Sequence, residues 1–297
     1  MVDLGSTPAA MRAVVVQSPD ISEPNCQENS SCFLEKTLNY SEEEDEDEEE
    51  AEDDQAAKAL ALSLTSNTSI VKLNLSDNGL DGNGAIAMAE MLKENCYISE
   101  LDLSENRVGM KGAEALSTVL RENSVLVTVK LSGNELNDMA AKYLADALVT
   151  NQKVEHLDLS HNMLGQPAGL FPISCFSIYT EPGEVLGVAM AENVGLKKLN
   201  LSWNNFRGQG AVAVAKGLGR RGPEGSNNRI ALEGALALAL GLKRNKNLRK
   251  LKMSRNPIQN EGCLGILKAI KVNPAAAMEL LDFSVEGDTA GVVPVFR

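Results

Sequence analysis

Hydrophobic positions along the chain follow two alternating rhythms. Leu73-Asn74-Leu75 places two apolar side chains on one side of an extended backbone and a polar one on the other, the period of a half-buried β-strand. Soon afterwards Ala85-Ile86-Ala87-Met88-Ala89-Glu90-Met91-Leu92 is apolar at helical spacing. The strand pattern then returns as Leu101-Asp102-Leu103, Val129-Lys130-Leu131, Leu157-Asp158-Leu159, Leu199-Asn200-Leu201 and Leu251-Lys252-Met253, with a worn copy at Leu281-Asp282-Phe283. The six good copies run on into Ser-x-Asn, giving Asn78, Asn106, Asn134, Asn162, Asn204 and Asn256; the first four are 28 residues apart. A second row, Asn67, Asn95, Asn123, Asn151, Asn193, Asn245 and Asn273, closes the helical stretches. Asparagine tolerates the left-handed conformation that ends many helices, so this row is expected at helix C-termini in that conformation.

Each unit therefore reads as a short strand, a turn, a helix of about three turns and a return loop. One unit cannot bury its apolar edge, but stacked units share a continuous core, with parallel strands on one side and helices on the other. The asparagine after each strand sits where the chain turns, and its amide is placed to satisfy backbone groups of the neighbouring unit.

Two steps depart from the period. Asn162 to Asn204 is 42 residues, and removing 170–183 restores 28. That insert carries Phe171, Phe176 and Tyr179. It reads either as an aromatic binding loop or as a tolerated loop added by alternative splicing. Asn204 to Asn228 is only 24 residues, and the expected strand there is Pro223-Glu224-Gly225. No leucine fills its inward positions and proline removes a ladder donor, so one strand is expected to be missing or irregular. Each lost leucine costs about 2–5 kcal/mol, which marks 219–229 as a weak point.

The motif Leu-x-x-Leu-x-Leu-x-x-Asn, the 28-residue period and the helix in every unit resemble the ribonuclease-inhibitor subfamily of leucine-rich repeats over residues 56–286. The resemblance implies an α/β leucine-rich-repeat solenoid, a horseshoe with a parallel β-sheet on the concave side and helices on the convex side. It also implies a protein partner. Ribonuclease inhibitors and Ran-type GTPase activators share this architecture, so a regulator of an enzyme is the alternative function. The five scattered cysteines, the single repeat type and an acidic segment that precedes the repeats all depart from those two.

Charge changes the picture at one place. The chain of 297 residues has a net charge of −13, yet twelve of the thirteen residues 42–54 are acidic, and without them the balance is −1. Such a run repels itself and buries nothing, so 1–54 reads as a disordered acidic arm, 55–286 as the solenoid and 287–297 as a tail. No run of eighteen apolar residues suggests a membrane span, and the N-terminus lacks the pattern of a signal peptide. Cys26, Cys32, Cys96, Cys175 and Cys263 show no paired spacing, which fits free thiols in the cytoplasm or nucleus.

Catalytic motifs are absent, so no enzyme activity and no cofactor is expected. The glycine pairs Gly82/Gly84, Gly109/Gly112 and Gly208/Gly210 repeat with the period and read as strand-to-helix turns. His156, Asp158 and His161 share one repeat and include metal-ligand types, but they read as variable surface positions and no metal is expected. Cys263 falls where other units place Ala85, Ala113, Ala211 and Ala235, a packing position. The candidate partner-binding residues are those between the inward leucines: Lys72, Asn74, Glu100, Asp102, Thr128, Lys130, His156, Asp158, Lys198, Asn200, Lys250 and Lys252, acidic early and basic late. Trp203, the only tryptophan, sits just after a strand at the rim and is a candidate anchor. Lys243, Arg244, Lys246, Arg249 and Arg255 extend the basic end, a seat for an acidic protein segment, including the chain's own run 42–54 as an intramolecular cover. Nucleic acid is disfavoured by the negative total charge and the lack of interleaved aromatics. The function expected is a protein–protein interaction scaffold.

Overall fold

The computed structural model describes residues 14–17, 46–165, 182–206, 208–218, 223–224, 226, 228–246, 250–284 and 292–294. The alternating Leu-x-Leu segments become strands β2 (Ile70–Asn74), β3 (Glu100–Asp102), β4 (Thr128–Lys130), β5 (His156–Asp158), β6 (Lys198–Asn200), β8 (Lys250–Lys252) and β9 (Leu280–Asp282). Between β6 and β8 lies β7 (Pro223–Glu224). All eight lie parallel in chain order. The helices between them are α2 (Gly82–Glu94), α3 (Gly109–Glu122), α4 (Asp138–Thr150), α5 (Pro182–Glu192), α6 (Gly208–Leu218), α7 (Leu232–Leu242) and α8 (Gln259–Lys271), each packed on the helix of the next unit. The inward leucines, among them Leu73, Leu75, Leu101, Leu103, Leu131, Leu159, Leu201 and Leu251, are buried against helix alanines such as Ala85, Ala113, Ala140 and Ala235 in one core.

The asparagine after each strand links two units. Asn162 donates from Nδ2 to the Leu131, Leu159 and Ser160 carbonyls and accepts at Oδ1 from the Asn134 and Leu136 amides. Asn106 repeats this arrangement two units earlier on Leu75, Leu103, Ser104, Asn78 and Leu80. The bonds survive both departures from the period. Asn204 reaches back to Leu159, 45 residues earlier rather than 31, and Asn228 to Leu201, 27 residues earlier. The insert and the shortening are absorbed away from the ladder.

The second asparagine row does stand at helix ends, but not left-handed. Asn95, Asn123 and Asn151 have φ of −78°, −69° and −74° with extended ψ. Their side chains explain the residue type instead. Asn95 donates to the Leu64 and Asn67 carbonyls of the preceding unit and accepts from the Tyr97 and Ile98 amides. Asn273 makes the matching bonds to Leu242 and Asn245. Carbonyls that a helix end leaves without partners are thus filled by the next repeat. A left-handed residue lies instead one place before the first ladder: Asp77, Glu105, His161, Trp203 and Arg255 have φ between +53° and +56°, and Gly133 has +66°.

The strand expected to be missing or irregular is irregular. β7 has two residues, pairing Leu199 with Pro223 and Asn200 with Glu224. Beside it Phe206, which the sequence reading did not single out, is among the largest fully buried side chains. It occupies the place held by Leu80, Val108, Leu136 and Leu164 in earlier units.

Two elements fall inside the segment read as an arm. β1 (Val14–Gln17) pairs antiparallel with β2, and α1 (Glu46–Thr65) begins within the acidic run and packs on α2 through buried Ala57, Ala61 and Leu64. Acidic side chains at a helix N-terminus are favoured by the helix dipole, which offsets part of their mutual repulsion. At the other end β10 (Val292–Pro294), inside the tail, pairs antiparallel with β9. Both edges of the parallel sheet are therefore covered by a strand that the repeat pattern does not contain.

Candidate interaction surface

Strand register brings the expected wall residues into two rows. Lys72, Glu100, Thr128, His156 and Lys198 stand side by side in the first. Asn74, Asp102, Lys130, Asp158, Asn200, Glu224, Lys252 and Asp282 form the second. Lys250 continues the first row beside Leu280.

Much of the early charge is already paired. Lys72 meets Glu100 at 2.8 Å and Lys130 meets Asp102 at 2.8 Å. Burial pushes the Asp102 carboxyl up, but hydrogen bonds from Lys130 and Ser104 together outweigh it and hold the group below its usual range. The bond to Asp102 raises the Lys130 ammonium in turn. A further pair, Lys197–Glu155 at 2.6 Å, lies just before the strands, and its hydrogen bond lowers the Glu155 carboxyl.

Most of the second row is also turned back on its own backbone. Asn74, Asp102, Asp158, Asn200 and Asp282 each accept at Oδ1 from the amide two residues on, in a run of Asx turns. Asp158 further holds the Ser160 hydroxyl and the Asn200 amide. That engagement counts against a metal role for the His156, Asp158 and His161 group, and among the described residues no three His, Cys, Asp or Glu side chains converge on a metal position.

The rim at the carboxyl ends of the strands is built differently. Trp203 is 46% exposed and its ring stacks on His161 at 5.2 Å between centroids, 18° from parallel. The Arg255 guanidinium carbon lies 5.6 Å from the indole centroid. All three occupy the left-handed position, which no hydrophobic pattern reveals.

Other expected features are placed as follows. Gly109 and Gly208 open their helices at φ +55° and +53°, as turn residues do. Cys263 is half-buried against the core, and that burial pushes its thiol up, whereas Cys96 is exposed. Lys243, Arg244 and Lys246 are exposed around the end of α7, while Arg249 lies outside the described residues. The insert lies outside them as well, up to residue 181, and with it Phe171, Phe176 and Tyr179. The helical part of the acidic run is on α1, which packs on α2; the strand of that first unit, β2, is six strands from β8, or about 29 Å at ~4.8 Å per strand.

A family model described as Leucine Rich repeat matches residues 66–89, 94–117, 150–169, 193–215 and 244–267. No curated protein matches the chain. Among solved structures, leiomodin-1 actin-binding site 2 is 16% identical, with a TM-score of 0.42 over 57% of this chain and 87% of its own. The tropomodulin C-terminal domain of Caenorhabditis elegans is 14% identical, with a TM-score of 0.39 over 54% of this chain and 92% of its own. A Bacteroides fragilis protein is 14% identical, with a TM-score of 0.42 over 80% of this chain and 71% of its own. The five matched segments each begin before a strand of the sheet and run toward the helix after it, so the chain carries leucine-rich repeats in an α/β solenoid fold.

Proposed function

We propose that this chain is a non-catalytic scaffold that holds a protein partner on its concave wall and rim. The contact residues in this reading are Lys72, Asn74, Glu100, Asp102, Lys130, His156, Asp158, Lys198, Trp203, Lys250 and Lys252. The observation that carries it is the register: the positions between the inward leucines line up from strand to strand, the second row running through all eight parallel strands. A rigid face of this kind presents polar groups without ordering them at the moment of binding, which lowers the entropic cost of association. A standard interface of about 1,600 Å² in total spans several repeats. The acidic segment ahead of ribonuclease-inhibitor-type repeats is similar to the leucine-rich repeat-containing protein 74 group, which we take as the closer relationship. The free thiols of Cys96 and Cys263 support a cytoplasmic or nuclear setting for this work.

Affinity capture with the full chain tests the reading, run beside Glu100→Lys, His156→Glu and the double reversal Lys250→Glu with Lys252→Glu. At least one wall variant should lose a captured partner that wild type retains. A partner kept by all three wall variants but lost from Leu240→Glu, on the exposed helix side, would place the contact elsewhere.

A further inference from the structure

We propose that the wall from β6 to β8, with the rim stack of His161, Trp203 and Arg255, is a docking surface for an acidic peptide segment of a partner protein. This rests on the scaffold reading and names the chemistry of the partner.

Charge is distributed unequally along the sheet. Lys72, Lys130 and Lys197 each hold a carboxylate of the neighbouring unit. Among the described residues Lys198, Lys250 and Arg255 have no ion pair. Lys198 and Lys250 are exposed on the wall, and Arg255 is exposed at the rim. Acids of the same half are Asp158, Glu224 and Asp282. Asp158 is held by Ser160 and Asn200, and Asp282 by the Ser284 amide and hydroxyl. Glu224 stands at the register position beside Lys252.

The rim supplies the second observation. A non-glycine residue in the left-handed region costs about 1–2 kcal/mol, and Asp, Asn and Gly bear it best. Earlier units use Asp77, Glu105 and Gly133 there, whereas these use His161, Trp203 and Arg255. The three side chains prop one another up, with His161 from the unit before Trp203 and Arg255 from a unit after it. Such a stack is already ordered before a ligand arrives. The indole N–H donates to no described residue, and an aromatic ring edge carries partial positive charge. With the guanidinium beside it, the rim offers two donors to a carboxylate.

The distances set the peptide. Lys198 and Trp203, like Lys250 and Arg255, are five residues apart, the last three of them past the end of a three-residue strand, so at ~3.3 Å per residue the span is at most about 16 Å. An extended segment of about five residues with acids near both ends spans the gap. Single-stranded nucleic acid is the weaker fit: His161 and Arg255 already lie on Trp203, and a base would have to displace them to stack there. The chain's own run 42–54 has the right chemistry, but its helical part belongs to α1, which packs on α2 in the first unit, at the far end of the sheet.

Trp203 is the only tryptophan, so its emission reports on this surface alone. Hexaglutamate titrated into the full chain at low salt should change that emission saturably. Affinity should fall about tenfold in Lys198→Glu and in Lys250→Glu, with circular dichroism unchanged. Calorimetry on Trp203→Phe, which keeps a ring but loses the N–H, should show weakening of several-fold. The proposal is overturned if hexaglutamate leaves the emission and the heat unchanged, if hexalysine binds as well, or if oligothymidylate binds and hexaglutamate does not. It is overturned too if hexaglutamate binds only after Glu42, Glu43 and Glu44 become Gln and Asp45 becomes Asn, which would give the surface to the chain's own acids. A partner captured through Glu100 or His156 while hexaglutamate stays silent would leave the scaffold reading intact and remove this one.

Discussion

Replacing Asn162 by alanine should destabilise the protein far more than its small side chain suggests. The residue is buried, and its amide serves five backbone groups of two units. Alanine leaves the Asn134 and Leu136 amides without an acceptor in a site closed to water. Each orphaned buried donor costs about 1–3 kcal/mol, so the pair costs about 2–6 kcal/mol. The three carbonyls add less, because under-satisfied oxygens are better tolerated. Removing the desolvation of the side-chain amide itself returns part of the sum, leaving about 2–4 kcal/mol. That is a large share of the roughly 5–15 kcal/mol that holds a native protein together. Urea unfolding followed by far-ultraviolet circular dichroism reads the loss, and hydrogen exchange at Asn134 and Leu136 locates it. Asn74→Ala is the control: its Oδ1 accepts one part-buried amide, Ser76, worth about 1 kcal/mol. Asn162→Asp separates the two halves of the interaction, because a carboxylate keeps the acceptor and drops the donor. If Asn162→Ala and Asn74→Ala unfold within ~0.5 kcal/mol of each other, a margin well below one net hydrogen bond, the ladder is decoration and the account of unit coupling is wrong.

The shortened unit should open first. Hydrogen exchange at residues 223–224 and at the flanking strands should be faster than at β3 to β5, because Pro223 lacks an N–H and no leucine anchors the strand; uniform protection across the sheet counts against this. Phe206→Ala beside that unit should cost about 3–5 kcal/mol in urea unfolding, as a fully buried aromatic does, and a loss under ~1 kcal/mol would show that the site collapses freely. Iodoacetamide followed by mass spectrometry should modify Cys96 well before Cys263, whose thiol is half-buried and shifted up; equal rates would refute the packing role. The Asp102–Lys130 pair should contribute at most about 1 kcal/mol, since the lysine is half exposed. With the carboxyl lowered in the fold, that contribution is present above its unfolded value near ~3.9 and lost as pH falls through the folded one, so the gap between wild type and Asp102→Asn should close in acid; a gap that widens in acid refutes the assignment.

The period, the parallel strands and the inward leucines are legible in the sequence because burial on one face imposes a strict alternation. The elements at the two ends are not. β1 and β10 carry no Leu-x-Leu and belong to no repeat, so only pairing reveals them. Helix α1 was hidden by its own charge, since the acids that argue against a core are tolerated at a helix N-terminus. Spacing locates the second asparagine row but not its mechanism, because position alone does not distinguish a left-handed backbone from a side chain that bonds to two units.

The candidate surface divides along the same line. Alternation shows which residues face outward, and all the wall positions do stand in the expected rows. It does not show which of them are already spent. Asn74 and Asp102 hold turns, Lys72 pairs with Glu100 and Lys130 with Asp102, so the early half of the wall must break existing bonds before it can bind anything. Lys198 and Lys250 have no such bonds to give up, and Trp203 and Arg255 are ordered before any partner arrives. In the docking proposal, binding energy therefore concentrates in the later half even though polar side chains are spread along the whole sheet. It follows that a charge reversal at Lys250 should cost more affinity for a partner than one at Lys72, where the first effect is to free Glu100.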